Sequence, residues 1–134
     1  MTWVFVQRTG KLYGPSGTLA AIGYAGNGVD KDNPDAQFIM DHGPLPVGGY
    51  AIGAPVDGTR LGPCALPLTP DADNDMGGRS DFWIHDDSIA HPGDASDGCL
   101  VVIGESIRRT IAASPVQHLE VVAEETDVAA ALAA

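Results

Sequence analysis

Basic residues are scarce in this chain: seven Lys and Arg stand against 18 Asp and Glu, for a net charge of −11 at pH 7. A surface of that sign repels nucleic-acid phosphates and anionic lipid, which argues against a nucleic-acid partner. It suits a basic protein, a cationic substrate group, or solubility alone. Cysteines are few as well. Cys64 and Cys99 cannot make a disulfide scaffold, although they are enough for one bridge or for one reactive thiol. Long apolar runs are missing, since none approaches the ~20 residues that a membrane helix needs. No membrane insertion is therefore expected. The opening residues, Met1-Thr2-Trp3-Val4-Phe5-Val6-Gln7-Arg8, lack the basic start and apolar stretch of a Sec-type signal peptide. The expectation is synthesis in the cytoplasm, with any export left to other machinery.

What is present describes one domain over residues 1–134, with 44% hydrophobic residues to build a core without metal or disulfide staples. Gly at 17 and Pro at 10 favour many turns and few long helices. Strands are expected at 3–8, 18–25, 49–54, 60–68, 81–85, 99–103 and 116–123. Pro63 and Pro67 would confine the 60–68 strand to a sheet edge. Residues 104–113 show helical spacing at Ile107 and Ile111 with Glu105 in the first turn, and Pro115 ends that helix. Residues 128–134 read as a short helix or a frayed tail. The class expected is mostly β, a sandwich or barrel with one short helix near 104–113.

Chemistry concentrates between His85 and Cys99, in the run HDDSIAHPGDASDGC. Cys99 follows Asp97-Gly98, where a tight turn meets an apolar strand. Such a junction can present a thiol at a cleft while the strand anchors the backbone. The amides of Gly98 and Cys99 can face a developing oxyanion. If the strands at 81–85 and 99–103 are neighbours, His85 and Cys99 sit at their facing ends. An imidazole there can take the thiol proton. Its second nitrogen then needs a partner, which Asp86, Asp87 or a loop carbonyl can supply.

Ser96-Asp97-Gly98-Cys99 with a histidine 14 residues upstream resembles the active-site signature of L,D-transpeptidases. More of the chain is similar to the L,D-transpeptidase effector family of type VI secretion systems. The similar segments are Gly23-Tyr24-Ala25-Gly26, Asn33-Pro34 and Gly43-Pro44-Leu45-Pro46-x-Gly48-x-Tyr50. Gly78-Arg79-Ser80-Asp81-Phe82-Trp83-Ile84-His85 and Ser96-x-Gly98-Cys99 follow, so the match runs from about residue 23 to residue 112. The resemblance implies an L,D-transpeptidase-like β fold and attack by Cys99 on peptidoglycan stem peptides with His85 as base, without a cofactor. Carboxypeptidase cleavage of tetrapeptide stems, exchange of the terminal D-amino acid, or both would follow. It further implies a secretion apparatus, an immunity protein and action in the periplasm of a target bacterium. Gly98, Asp86, Ser96 and Asp97 are the expected orienting or oxyanion residues, and Tyr24 and Arg79 the expected substrate contacts. Arg79 can equally be a structural partner and Tyr24 a core aromatic.

Two positions depart from the family's pattern: Asp97 stands where His is common, and Asp86 where Gly is common. Their carboxylates are expected to raise the pKa of His85, to oppose a thiolate and to repel an anionic substrate. Direct contact between His85 and sulfur would nonetheless hold the Cys99 thiolate well below the ~8.5 of a free cysteine. Two other readings compete with a cysteine enzyme. One is a catalytically silent module that binds cell wall or a partner. The other is a metal-dependent hydrolase built on His85, Asp86, Asp87, His91 and Asp94. Asp71-Ala72-Asp73-Asn74-Asp75-Met76-Gly77 begins like a calcium loop, but its twelfth position is Phe82 and not Glu, so a solvated acidic loop is the better reading. Cys64 reads as a packing thiol.

Overall fold

The computed structural model describes residues 1–134. Nine strands make one sheet: β1 (Trp3–Val6), β2 (Lys11–Tyr13), β3 (Leu19–Ile22), β4 (Tyr24–Ala25), β5 (Gly48–Ile52), β6 (Leu66–Pro70), β7 (Phe82–His85), β8 (Leu100–Val101) and β9 (His118–Val122). Their spatial order is β3-β2-β1-β9-β5-β6-β7-β8-β4. The first and last strands of that order are joined in the chain by Gly23 alone, so the sheet curls until its two ends meet. The result is mostly β and nearly closed into a barrel, with two short helices, α1 (Glu105–Ala113) and α2 (Val128–Ala133).

Closure depends on glycine. Gly23 N–H donates to the Gly10 carbonyl at 2.7 Å. A Cβ on Gly23 would overlap the Val101 carbonyl, and one on Gly10 would overlap the Gly23 carbonyl. Three backbones therefore pack at a distance that no side chain permits. The single strand expected at 18–25 breaks here into β3, which pairs with β2, and β4, which pairs with β8.

Strand β1 is apolar at every position because both of its faces are covered. Trp3 and Phe5 join the barrel core with Leu12, Tyr50, Leu66, Ile84, Leu100, Leu119 and Val121. Val4 and Val6 face outward and pack with Val122 and Val128 beneath α2. Helix α1 starts at Gly104 with Glu105 in its first turn and stops at Ser114, before Pro115. It buries Arg108 and Ile111.

The strand at 60–68 is displaced. Residues 60–64 are turn and bend, and β6 runs from Leu66 to Pro70 in the sheet interior, between β5 and β7. Pro67 survives there because its carbonyl accepts from Gly53 N–H at 2.8 Å, on the side where β5 has already ended at Ile52. Its missing N–H faces the same end of β5, so the ladder loses little. Strand β8 holds only two of the five residues expected at 99–103.

Candidate active site

Strand β7 delivers His85 at its last position, and Cys99 lies one residue before β8. The two strands are neighbours but parallel, with Ile84 opposite Leu100 and His85 opposite Val101. Their ends do not face each other, as they would in an antiparallel pair. Cys99 instead falls two steps back along β8 from the level of His85. Because β8 is so short, both side chains still line one cleft, together with Arg60, Arg79, Asp81 and Asp97.

His85 is 4% exposed, and its Nδ1 lies 2.7 Å from the Asp86 carbonyl oxygen. A carbonyl only accepts, so Nδ1 carries the proton and Nε2 keeps its lone pair. Of the partners considered for this nitrogen, the backbone carbonyl fills the role. The two carboxylates are engaged elsewhere. The Asp86 carboxylate meets Arg108 at 3.3 Å. That of Asp87 accepts from the Tyr24 hydroxyl at 2.6 Å and from the amides of Ser88 and Gly93.

Burial lowers the pKa of His85, and the charges of Arg108 and Arg60 push the same way, against the Asp86 carbonyl bond and carboxylate. Burial pushes the Cys99 thiol up to about 11, with Asp81 and Asp97 adding to the effect and the Trp83 amide and Arg60 opposing it. The resting cleft thus holds a neutral thiol and a neutral imidazole. This corrects two expectations, the low-lying thiolate and the raised histidine pKa. At His85 desolvation outweighs the Asp86 carboxylate, which is bonded to Arg108, whereas at Cys99 desolvation and the acidic neighbours act together.

Ser96 is buried and ties together the turn that precedes Cys99. Its hydroxyl donates to the Cys99 carbonyl at 2.6 Å and accepts from Gly26 N–H at 2.9 Å and Gly98 N–H at 3.0 Å. The Gly98 amide is therefore engaged and does not face the cleft as an oxyanion donor, contrary to expectation. The Cys99 amide has no acceptor in the protein. Gly98 has φ +140°, and a Cβ there would overlap the Arg79 guanidinium. Asp97 has an exposed side chain, and its carbonyl accepts from Arg79.

Arg79 is buried and bonds four backbone carbonyls, those of Gln37, Gly43, Pro44 and Asp97. It meets no carboxylate, and it clamps the 37–44 loop to the turn before Cys99. Tyr24 is likewise buried. Its hydroxyl accepts from Ala95 N–H at 2.9 Å while donating to Asp87, so it pins both limbs of the 86–98 loop. Cys64 is a fully buried free thiol in the barrel core.

The chain forms no group of three His, Cys, Asp or Glu side chains able to hold a metal ion. His85, Asp86, Asp87, His91 and Asp94 do not converge, because Asp86 and Asp87 turn to Arg108 and Tyr24. In the calcium-like loop, the Asn74 side chain bonds both the N–H and the carbonyl of Gly49.

Two arginines carry weight at this site that the sequence reading did not assign. Arg108 is fully buried and bonds the carbonyls of Pro63, Cys64 and Val102 as well as Asp86. Its place three residues before Ile111, on the apolar face of α1, was the available signal. Arg60 overhangs the cleft from an exposed turn.

A family model described as the Tlde1 domain matches residues 20–124. No curated protein and no solved structure matches the chain.

Proposed function

This chain belongs to the Tlde1 domain family of type VI secretion L,D-transpeptidase effectors, and on that premise we propose that it is a cysteine enzyme in which Cys99 attacks the stem peptides of peptidoglycan. One observation carries the reading. Cys99 and His85 line a single cleft, and the Nδ1 bond of His85 to the Asp86 carbonyl leaves Nε2 as a base.

The chemistry runs from a neutral pair. As sulfur attacks the amide carbonyl carbon, the thiol proton passes to Nε2 of His85, and the Asp86 carbonyl steadies the imidazolium through Nδ1. The Cys99 amide is the donor available to the oxyanion. Collapse of the tetrahedral species breaks the C–N bond, and the imidazolium returns its proton to the departing amine of the terminal D-amino acid. A thioester on Cys99 remains. Water attacking it completes a carboxypeptidase reaction, and a second amine completes an exchange; in either case His85 takes the proton of the incoming nucleophile. Ser96, Gly98 and Arg79 act by positioning Cys99, and Asp86 and Tyr24 by positioning the loop that follows His85. The setting is delivery by a secretion apparatus into the periplasm of a target cell, where an immunity protein would protect kin.

The test is digestion of purified tetrapeptide muropeptides with products read by mass spectrometry. Loss of the terminal residue, or its replacement by an added D-amino acid, is expected. Cys99→Ala should lower the rate by about 10³-fold or more, because the covalent route is gone. Turnover persisting in that variant would refute the nucleophile. A silent binding module is the second reading, favoured by the high Cys99 pKa. It predicts peptide binding without any thioester adduct in the intact mass of the protein.

A further inference from the structure

Among the Lys and Arg residues, Arg8, Lys11, Lys31, Arg79, Arg108 and Arg109 each hold an acceptor within the protein. Arg60 holds none, in a chain with 18 carboxylate side chains. It is exposed, and it lines both the cavity that contains Cys99 and a second cavity that His85 also lines. Its position is nevertheless built. Asp57 closes the base of its turn by accepting from Cys64 N–H at 2.9 Å and from Arg109 at 2.7 Å. The carbonyls of Pro63 and Cys64 are held by the buried Arg108. A rigid base thus carries an unpaired guanidinium to the junction of two cavities. Its charge is felt at both reactive groups, lowering the pKa of His85 and of Cys99 alike.

The remaining charged side chains around the cleft do not suit an anion. Asp41, Asp81 and Asp97 repel one, and the guanidinium of Arg79 is occupied by four carbonyls. Removing or exchanging a terminal residue requires the enzyme to tell a chain end from an internal amide, and the group that marks a chain end is its free α-carboxylate. We infer that Arg60 is the specificity-determining residue that receives the C-terminal carboxylate of the peptide, making this cleft one for acidic chain ends. The inference rests on the peptide-cleaving reading above. The planar fork of a guanidinium matches a carboxylate through two parallel bonds, which a lysine does not reproduce.

The test uses a stem tetrapeptide with a free C-terminal carboxylate and the same peptide as its C-terminal amide. Binding is read by calorimetry on Cys99→Ala protein, and turnover on protein that retains Cys99. The acid should bind about tenfold more tightly than the amide. Arg60→Ala should abolish that preference, with the loss in turnover falling on KM, and Arg60→Lys should restore part of it. Equal weakening of acid and amide by Arg60→Ala, no effect on either, or no binding of either peptide would overturn the assignment. The two readings fail separately. Carboxylate-dependent binding through Arg60 without any turnover would overturn the chemistry alone, whereas turnover indifferent to amidation would overturn the Arg60 assignment alone.

Discussion

Two buried arginines flank the cleft, one on the side of Cys99 and one on the side of His85, and they solve the same problem differently. Arg79 holds the turn before Cys99 by bonding four carbonyls, with no carboxylate to balance its charge. Arg108 holds the segment after His85 by bonding three carbonyls and Asp86, whose side chain stays 33% exposed. The first clamp rests on backbone dipoles and on the Phe82 ring, whose centroid lies 5.2 Å from the guanidinium. The second adds an ion pair that water can partly replace. A buried charge can thus serve as scaffolding wherever loops bring enough orphan carbonyls to it. The cleft's walls are loops whose polar backbone has been satisfied in this way.

The comparison can be broken by removing each clamp. Arg79→Met leaves four carbonyls without their donor and should cost about 4 kcal/mol at roughly 1 kcal/mol each. Arg108→Met leaves three, and Asp86 can rehydrate, so about 3 kcal/mol is expected. Denaturant melts would measure both. Amide exchange should separate them further, rising around residues 37–44 and 97–99 in the first variant and around 102–104 in the second. Identical exchange maps would mean that the clamps are not local.

A smaller effect concerns the thiol. With its pKa near 11, Cys99 should alkylate slowly at pH 7 and faster as pH rises toward that value. A fast reaction at pH 6–7 would restore the ion pair that the buried cleft disfavours. The smallest effect is on stability. Burial lowers the pKa of His85, so below the ordinary histidine value the unfolded chain binds more protons than the folded one. The stability that neutral His85 contributes is present above that value and is lost as pH falls through the window below it. His85→Gln should therefore flatten part of the acid limb of a melting-temperature profile, and an unaltered limb would count against a buried neutral ring.

Much of the frame was legible. The DFWIH run reads as a strand ending on histidine because its pattern is local, and the helix at 105–113 follows from spacing and a following proline. The strand at 60–68 was misplaced, because whether Pro67 is tolerated depends on where β5 stops, some 15 residues earlier in the chain. The site was legible as residue types. Cys99, His85 and the Ser96-x-Gly98 turn stand out by their order alone. Most partners of Arg79 and Arg108 did not, since they are backbone carbonyls brought in from distant loops.

By itself the sequence determined which atoms can react, because a thiol and an imidazole owe their chemistry to their own bonds. It also determined the closure of the sheet, since only glycine at positions 10 and 23 lets three backbones approach so closely. Only the tertiary structure decided the protonation of the pair. Carboxylates adjacent in sequence suggested a charged histidine, and contact of that histidine with sulfur suggested a thiolate. The fold instead removed both groups from water, turned Asp86 and Asp87 toward Arg108 and Tyr24, and left the pair neutral, because at His85 desolvation and the charges of Arg108 and Arg60 outweigh Asp86, while at Cys99 desolvation and the charges of Asp81 and Asp97 act together.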